Sequence, residues 1–514
     1  MNVAALILTL QLIAGSVAIA VPIGCSVAIA NTVLSPWRRV STLGWVAMIV
    51  VCALPLYMHA AAWDAAAGKF GVLRWTQTAA ANQPFSGLSA SIWIHGISGA
   101  AWVALTTGFG LARLPRELID SARLDSTAPR RWGLVFLPAA GRWIAIGALW
   151  VATLAATEMT VVDLYAVRTL ADEFYLLYAA QPSVSAIART LAPSVPLAIG
   201  LAMILRTRIG ATGVGGGRFS GERFAPDRRQ SGSIGTGGTA GRRWFAATWL
   251  ASVIALMLGI PLASLFGSAG RIVTRTSLAD GSTEVVRSWQ WAKFWDSIAG
   301  SAEAFGPEYR WTLTIGFAMS LLATLIAMVV IALAGGKRNR LRWCDTFYLV
   351  IVMIPGPVVA LTTVWVFRRD LPALDTLYRQ TLVPTLIALL PRSGAAAYLV
   401  LRVATARLDP AVRAAAKIEC PGRWRRYWRI DLPLILPALL VAIGASGAVA
   451  VADVPATLPV LPPGVSTVGT RLFGLLHSGA RSQEAALAIG FLLIVLVLSV
   501  LFLTLEKVIR PRHP

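Results

Sequence analysis

Charged side chains are scarce in this chain. They make up 14% of its 514 residues, against 56% hydrophobic ones. That leaves too little polar surface for a soluble globular protein of this length, and so apolar a composition excludes a disordered one. Histidine and cysteine are few, four of each. Cys25, Cys52 and Cys344 lie in or at the edge of apolar runs and Cys420 in a basic loop, with no disulfide framework. No His, Cys and carboxylate residues fall at ligand spacing, so neither a resident metal nor a cofactor is expected. Acids are about half as common as bases, 24 against 46, for a net charge of +22. A nucleic-acid partner would need a basic face on a soluble domain, and the sequence offers none.

Long apolar runs are what the chain has in quantity. A run of about 18 residues crosses a hydrocarbon core of about 30 Å as a helix. A transmembrane β-barrel would show shorter alternating segments of about ten residues. The expected fold is therefore all-α and polytopic, with about 11 spans at 3–30, 43–62, 89–112, 139–158, 184–205, 244–266, 311–334, 346–367, 381–403, 434–452 and 483–505. Trp63, Trp75, Trp244 and Trp311 stand at run ends, where amphipathic rings settle at headgroup level. The opening "MNVAALILTLQLIAG" has no basic n-region and its run outlasts a signal h-region, which predicts a retained first span. Well over half of the 46 Lys and Arg fall in 30–42, 113–138, 206–243, 335–343, 404–433 and the basic tail 506–514. The positive-inside bias then places those segments in the cytoplasm, with the N-terminus outside and the C-terminus inside.

The chain repeats itself. "ARLPRELIDSARLDSTAPRRWGLVFLP" (112–138) and "ARLDPAVRAAAKIECPGRWRRYWRIDLP" (406–433) open alike, pass through a small and basic stretch, and end in Leu-Pro before a new span. The separation that aligns Pro138 with Pro433 also aligns Glu158 with Asp453, and the basic turns "SPWRRV" and "GKRNRLRW" correspond roughly. Two related halves follow: 1–205 with five spans, and 244–505 with six. Between them, 206–243 is rich in Gly, Ser and Arg, too poor in aliphatic content to offset its ordering entropy, and is read as a flexible linker. Its "GVGGGRFSG" lacks the Gly-Lys-Ser/Thr ending of a phosphate loop. Within 409–420, Asp409 caps and Pro410 opens a short helix that "PG" at 421–422 stops; 115–125 is its counterpart.

This layout resembles the Glu-Ala-Ala motif of binding-protein-dependent ABC transporter permeases: Glu-Ala-Ala, three residues, Gly, nine residues, Ile or Val, one residue, Leu-Pro. Counting back from Leu432 and Pro433, Ile430, Ala415 and Ala416 match, while Ala414 holds the Glu position and Cys420 the Gly position. In the first copy Leu137, Pro138 and Val135 match. Asp120, Ser121 and Ala122 stand for Glu-Ala-Ala and Ser126 for Gly, with one residue fewer between. Gly422 is the glycine nearest to the missing one. "DVPATLPVLPPGVSTVGTRLFGLLHSGARSQEAALAIG" (453–490) looks like the C-terminal part of fused two-repeat iron(III) permeases, through Asp453, Pro455, Ala456, Thr457, Leu458, Thr467, Thr470 and Arg471. "EMTVVDLYAVRTLADEFY" (158–175) looks like the matching region of their first half.

The resemblance implies a permease subunit of a bacterial inner-membrane importer for iron(III) or a related substrate, itself no enzyme. An ABC ATPase dimer would grip the two short cytoplasmic helices, with Ala415 and Ala416 packed in its cleft. A periplasmic or lipid-anchored binding protein would deliver substrate, and lipid surrounds the spans. Ionisable groups at membrane depth are costly and face a bundle interior, so Glu158, Arg392 and Asp453 are the candidate substrate-path residues, either as a charge-lined gate or as a packing ion pair. His95, in an apolar span, reads as packed. A permease for thiamine, a polyamine or an oxyanion remains open, as does an ion-gradient-driven secondary transporter, which has repeats and buried charges but no use for paired docking helices. A membrane-embedded enzyme would need a nucleophile or metal constellation that the sequence lacks.

Overall fold

The computed structural model describes residues 3–68, 85–179, 240–277, 283–335, 337–368, 371–406, 410–420, 422–479 and 481–509, with a few single positions besides. Nearly all of the expected span 184–205 lies outside the described residues, as do most of the expected linker, Asp409 and residues 510–514.

Among the described residues the architecture is helical, with one small hairpin. In the first half come α1 (Val3–Val33), α2 (Arg38–Ala53), α3 (Leu56–Ala67), α4 (Gly87–Leu111), α5 (Arg116–Asp125), α6 (Gly141–Thr157), α7 (Thr160–Leu164) and α8 (Leu170–Ala179). The helical run Ala240–Ala269 is α9. Then follow β1 (Arg271–Ser277), β2 (Thr283–Trp289), α10 (Trp291–Ala304), α11 (Gly306–Ala334), α12 (Arg338–Val352), α13 (Gly356–Phe367), α14 (Pro372–Gln380) and α15 (Val383–Ala406). The chain closes with α16 (Pro410–Glu419), α17 (Leu432–Ala452), α18 (Val454–Thr457), α19 (Val468–Ser478) and α20 (Arg481–Ile509). Among the described residues, 7 helices are long and apolar enough to cross a membrane, or up to 10 if each bent pair is one span.

Two expected spans are not straight. The run 43–62 breaks at Pro55, where α2 and α3 meet at 101°, and 346–367 breaks at Pro355, where α12 and α13 meet at 93°. A residue before proline is pushed out of the helical region, and Leu54 is extended, with ψ 127. Hydropathy is blind to such a break, because the residues on both sides of it are apolar. α9 also begins at Ala240, inside the expected linker, since the turn carrying Arg242 and Arg243 continues the helix of the span.

Among the described residues three π-helical turns interrupt the helices, at Arg131–Phe136, Ala255–Gly259 and Tyr427–Asp431. Each contains the residue four before a proline: Leu134 before Pro138, Met257 before Pro261 and Arg429 before Pro433. A proline ring clashes with the carbonyl four residues back and leaves it without a donor; widening the turn relieves both. The Leu-Pro that closes each basic loop is thus the cause of a local widening in each half.

Packing between spans relies on small residues. A Cβ on Gly24 of α1 would meet the Ala100 carbonyl and the Val103 side chain of α4, so its absence lets the two backbones close up. One core cluster joins the halves: Tyr57, Met58, Ala61 and Ala65 of α3 with Met159 and Ala171, against Leu265, Val454, Leu472 and Leu487. The region 267–309, between two of the expected spans, holds the antiparallel β1–β2 hairpin and α10.

Candidate functional site

The two basic loops fold alike. α5 and α16 are ten-residue helices, as their Pro openings predict. On α5 Ile119 and Ala122 are buried with Leu111, Leu114, Phe136 and Ala140, while Asp120 and Ser121 are exposed. On α16 Ala414 and Ala415 are exposed, but Ala416 is only 4% exposed. The expectation that Ala415 and Ala416 both face a partner is therefore corrected. The helix is amphipathic, and Ala416, like Ala122, lies on the side that this chain buries. Cys420 and Ile430 are half-buried and Pro433 is exposed, like Pro138, with Leu137 and Leu432 between.

The glycine missing from each motif has no left-handed position to fill. Ser126 leaves α5 in an extended conformation, φ −148 and ψ 150, and its hydroxyl donates to the Ala122 carbonyl at 2.7 Å. Among the described residues neither Cys420 nor Gly422 has a positive φ. One signal escaped the sequence reading. Leu124 and Ile418 occupy the same place on their two helices and are 87% and 83% exposed. The recurrence of one bare aliphatic side chain at the same place in both loops is a likeness that the motif does not contain.

From each loop a span runs to an acid. α6 ends at Thr157 and α17 at Ala452, and in both the next residue is the carboxylate expected there, Glu158 and Asp453. Both acids are buried and restart a short helix. Glu158 accepts from the Thr160 amide at 2.8 Å and the Val161 amide at 3.0 Å, and from the Thr160 hydroxyl, at the N-terminus of α7. Asp453 precedes α18, and a Cβ on Gly356 of α13 would press on its Oδ1 and on the Ala456 amide.

Two of the three candidate path residues, Arg392 and Asp453, pair directly, and Arg392 also reaches the residue before Glu158. Arg392 of α15 donates from Nη1 to Asp453 Oδ1 at 2.9 Å and from Nη2 to the Thr157 carbonyl at 3.4 Å. One guanidinium therefore ties the broken end of a second-half span to the end of a first-half span. His95 of α4 lies opposite, its Nε2 3.7 Å from Glu158 Oε2. Its Nδ1 lies 2.8 Å from the Ser91 carbonyl, to which it donates. That bond fixes the ring, so Nε2 is the nitrogen turned toward the carboxylate. The base in each half sits on the span before the basic loop and the acid on the span after it. His95, read from sequence as packed, belongs to this cluster; its lack of any local charge pattern hid it.

A second set of ion pairs surrounds the cluster. Arg481 of α20 pairs with Asp64 of α3, His477 of α19 with Asp163 of α7 at 3.3 Å, and Arg471 of α19 with Glu308 of α11 at 2.7 Å. Thr467 and Thr470 form a capping box at the start of α19, an arrangement that stabilises a helix end by about 1 kcal/mol. Donation to Asp163 raises the His477 pKa. Burial and the neighbouring Asp163 push Asp172 up to about 7. Thr9 and Thr312 repeat one further contact, accepting the Leu170 amide at 3.0 Å and the Val468 amide at 2.8 Å. The charges are fixed by capping and pairing, and the chemistry on offer is electrostatic.

Comparison with known proteins bears on the second half first. Residues 327–513 match the family of binding-protein-dependent transport system inner membrane components. The chain is 24% identical over 211 residues to a Bacillus subtilis protein provisionally described as the molybdenum transport system permease YvgM, covering 38% of this chain and 91% of that one. It is 25% identical over 217 residues to a Salmonella typhimurium protein provisionally described as the 2-aminoethylphosphonate transport system permease PhnV, covering 42% and 75%.

Proposed function

We propose that this chain, whose residues 327–513 match the family of binding-protein-dependent transport system inner membrane components, is the whole membrane pathway of an ATP-driven importer. Each relative corresponds to less than half of this chain, and 1–205 repeats the layout of 244–505. Two permease units joined by 206–243 account for that length. The observation that carries the reading is the recurrence, in both halves, of one succession: short helix, π turn, Leu-Pro, span, buried acid. A secondary transporter has no use for the first of these elements.

The mechanism follows from the contacts. The ends of α6 and α17 meet at Arg392, which sets their starting loops toward one side of the bundle. An ATPase dimer closing there on α5 and α16 would draw the loops together. The span ends would then move about the Arg392 bridge between inward- and outward-open states. Docking uses Asp120, Ser121, Leu124, Ala414, Ala415 and Ile418, while Ala122, Ser126, Leu137, Pro138, Ala416, Cys420, Ile430, Leu432 and Pro433 shape the loops. Glu158, Arg392 and Asp453 form the gate, with His95. The site is a bacterial inner membrane, and a binding protein loads the face opposite the loops.

For the substrate, the motifs at 158–175 and 453–490 and the excess of carboxylate over arginine at the gate support iron(III). The molybdenum and aminoethylphosphonate relatives support an anion. Identifying the ligand held by the cognate binding protein separates the two. The docking surface has its own test. Leu124→Ser and Ile418→Ser should leave membrane abundance unchanged, because both side chains are already bare, and should cut ATPase co-purification and uptake about tenfold. Ala416→Trp should instead lower abundance, since overpacking a buried site costs about 1–3 kcal/mol. Full uptake with both Ser variants combined would sink the docking assignment.

A further inference from the structure

The region between α9 and α11 contains an aromatic group that transport does not explain. Phe266 near the end of α9, Trp289 at the end of β2, and Trp291, Phe294 and Trp295 of α10 form one cluster. Phe266 stacks on Trp289 at 5.2 Å between ring centroids, Trp291 stands edge-on to Phe266 at 5.7 Å, and Phe294 meets Trp295 at 5.1 Å. Phe294 is buried as the core of the group, yet Trp291 and Trp295 are 61% and 60% exposed. Spaced four apart, these two lie on one side of α10. Its other side, with Lys293, Ser297 and Gly300, lines a polar groove shared with Ser482 and Gln483 of α20.

Which surroundings suit two bare tryptophans is settled by what adjoins them. α9 is apolar enough to cross a membrane, and its exposed Leu262 and Phe266, also four apart, form a strip along it. Trp291 continues that strip directly, ring on ring. α10 is held between the end of one such helix and the start of another, α11, whose first turns carry Arg310 and Trp311. Tryptophan with an apolar ring and a single N–H donor favours the level where acyl chain gives way to headgroup. A helix with one apolar and one polar side is held at that level.

We propose that α10 is an in-plane interfacial helix: its Trp291–Trp295 side rests in the acyl–headgroup boundary of the bilayer, and its Lys293–Gly300 side faces the aqueous groove beside α20. The partner is the lipid surface itself, not a docked protein. The helix fixes the depth of α9 and α11 and holds the β1–β2 hairpin clear of the membrane.

The test is depth-resolved quenching of tryptophan fluorescence in full-length protein reconstituted into phosphatidylethanolamine–phosphatidylglycerol vesicles. Emission from the two residues is taken as the difference between wild type and Trp291→Phe/Trp295→Phe. Phenylalanine keeps an aromatic ring in place, and the two single variants serve if the double variant does not accumulate. A nitroxide near the acyl-chain head should quench the difference emission about twofold more than one deep in the chain, and aqueous iodide should quench it little. Quenching by iodide alone would mean a water-exposed face. Protection from both quenchers would mean a protein cover. Either result overturns the proposal.

Discussion

Arg392 illustrates how one side chain carries two jobs. Its pair with Asp453 neutralises a buried carboxylate, and its second bond, to the Thr157 carbonyl, crosses between halves. Removing one partner of a buried pair costs about 3–5 kcal/mol, whereas replacing both is often neutral. Arg392→Gln should therefore reduce the amount of folded protein in the membrane. Arg392→Met with Asp453→Leu should restore abundance but not transport, because the link to Thr157 is still missing. Arg392→Lys keeps the charge without the planar fork, so abundance should hold while uptake falls about tenfold. Immunoblots of membranes beside uptake rates distinguish these outcomes, and normal uptake in the Met/Leu pair would reduce Arg392 to a packing residue. In sequence, Glu158 and Asp453 were legible as matched acids and Arg392 as a costly charge. Which base faces which acid was not, since His95 and Arg392 lie 63 and 61 positions away from their partners along the chain.

At the scale of elements, the joint of α7 and α8 with α19 responds to pH. Asp172 and His477 both have folded pKa values above their unfolded ones. A raised pKa stabilises the fold fully below the unfolded value and loses that contribution as pH climbs through the folded one. For Asp172 the loss runs from about 4 to about 7; for His477 it begins near 6.5. The signs agree, with Arg168 and Glu173 the other charges close to Asp172. Amide exchange across Val468–Ser478, corrected for intrinsic rate, should therefore speed up roughly threefold between pH 5.5 and 8, a modest effect because His477 is half-exposed. His477→Gln should flatten the upper part of that rise. An exchange rate that falls with pH would contradict the assignment. The breaks at Pro55 and Pro355 belong to this scale as well. Proline marks both in the sequence, but other prolines, such as Pro22 and Pro391, sit inside unbroken helices, so neighbouring packing decides which proline bends a span.

For the whole molecule, the proposed sidedness makes a sharp prediction. A reporter after Pro514 should be cytoplasmic and a tag before Met1 periplasmic, as an odd number of crossings requires. Both on one side would mean a crossing gained or lost, and the bent pairs α2–α3 and α12–α13 are where to look for it. Cysteine accessibility of Ile418→Cys and Leu124→Cys from the cytoplasm would place α5 and α16 on one face.

Sequence alone determined that this is a helical membrane protein with recurring loops, since hydropathy, basic-loop bias and the two Leu-Pro closings are local and additive along the chain. It also determined the two ten-residue helices, through Pro and Ala positions that need no tertiary help. Only the tertiary structure decided which side of those helices is buried, so that Ala416 turns inward and Ile418 outward. Only it brought Arg392 to Thr157 across the halves and set α10 beside the end of α9. Each of these depends on how elements pack against one another, and no local rule in the sequence encodes that packing.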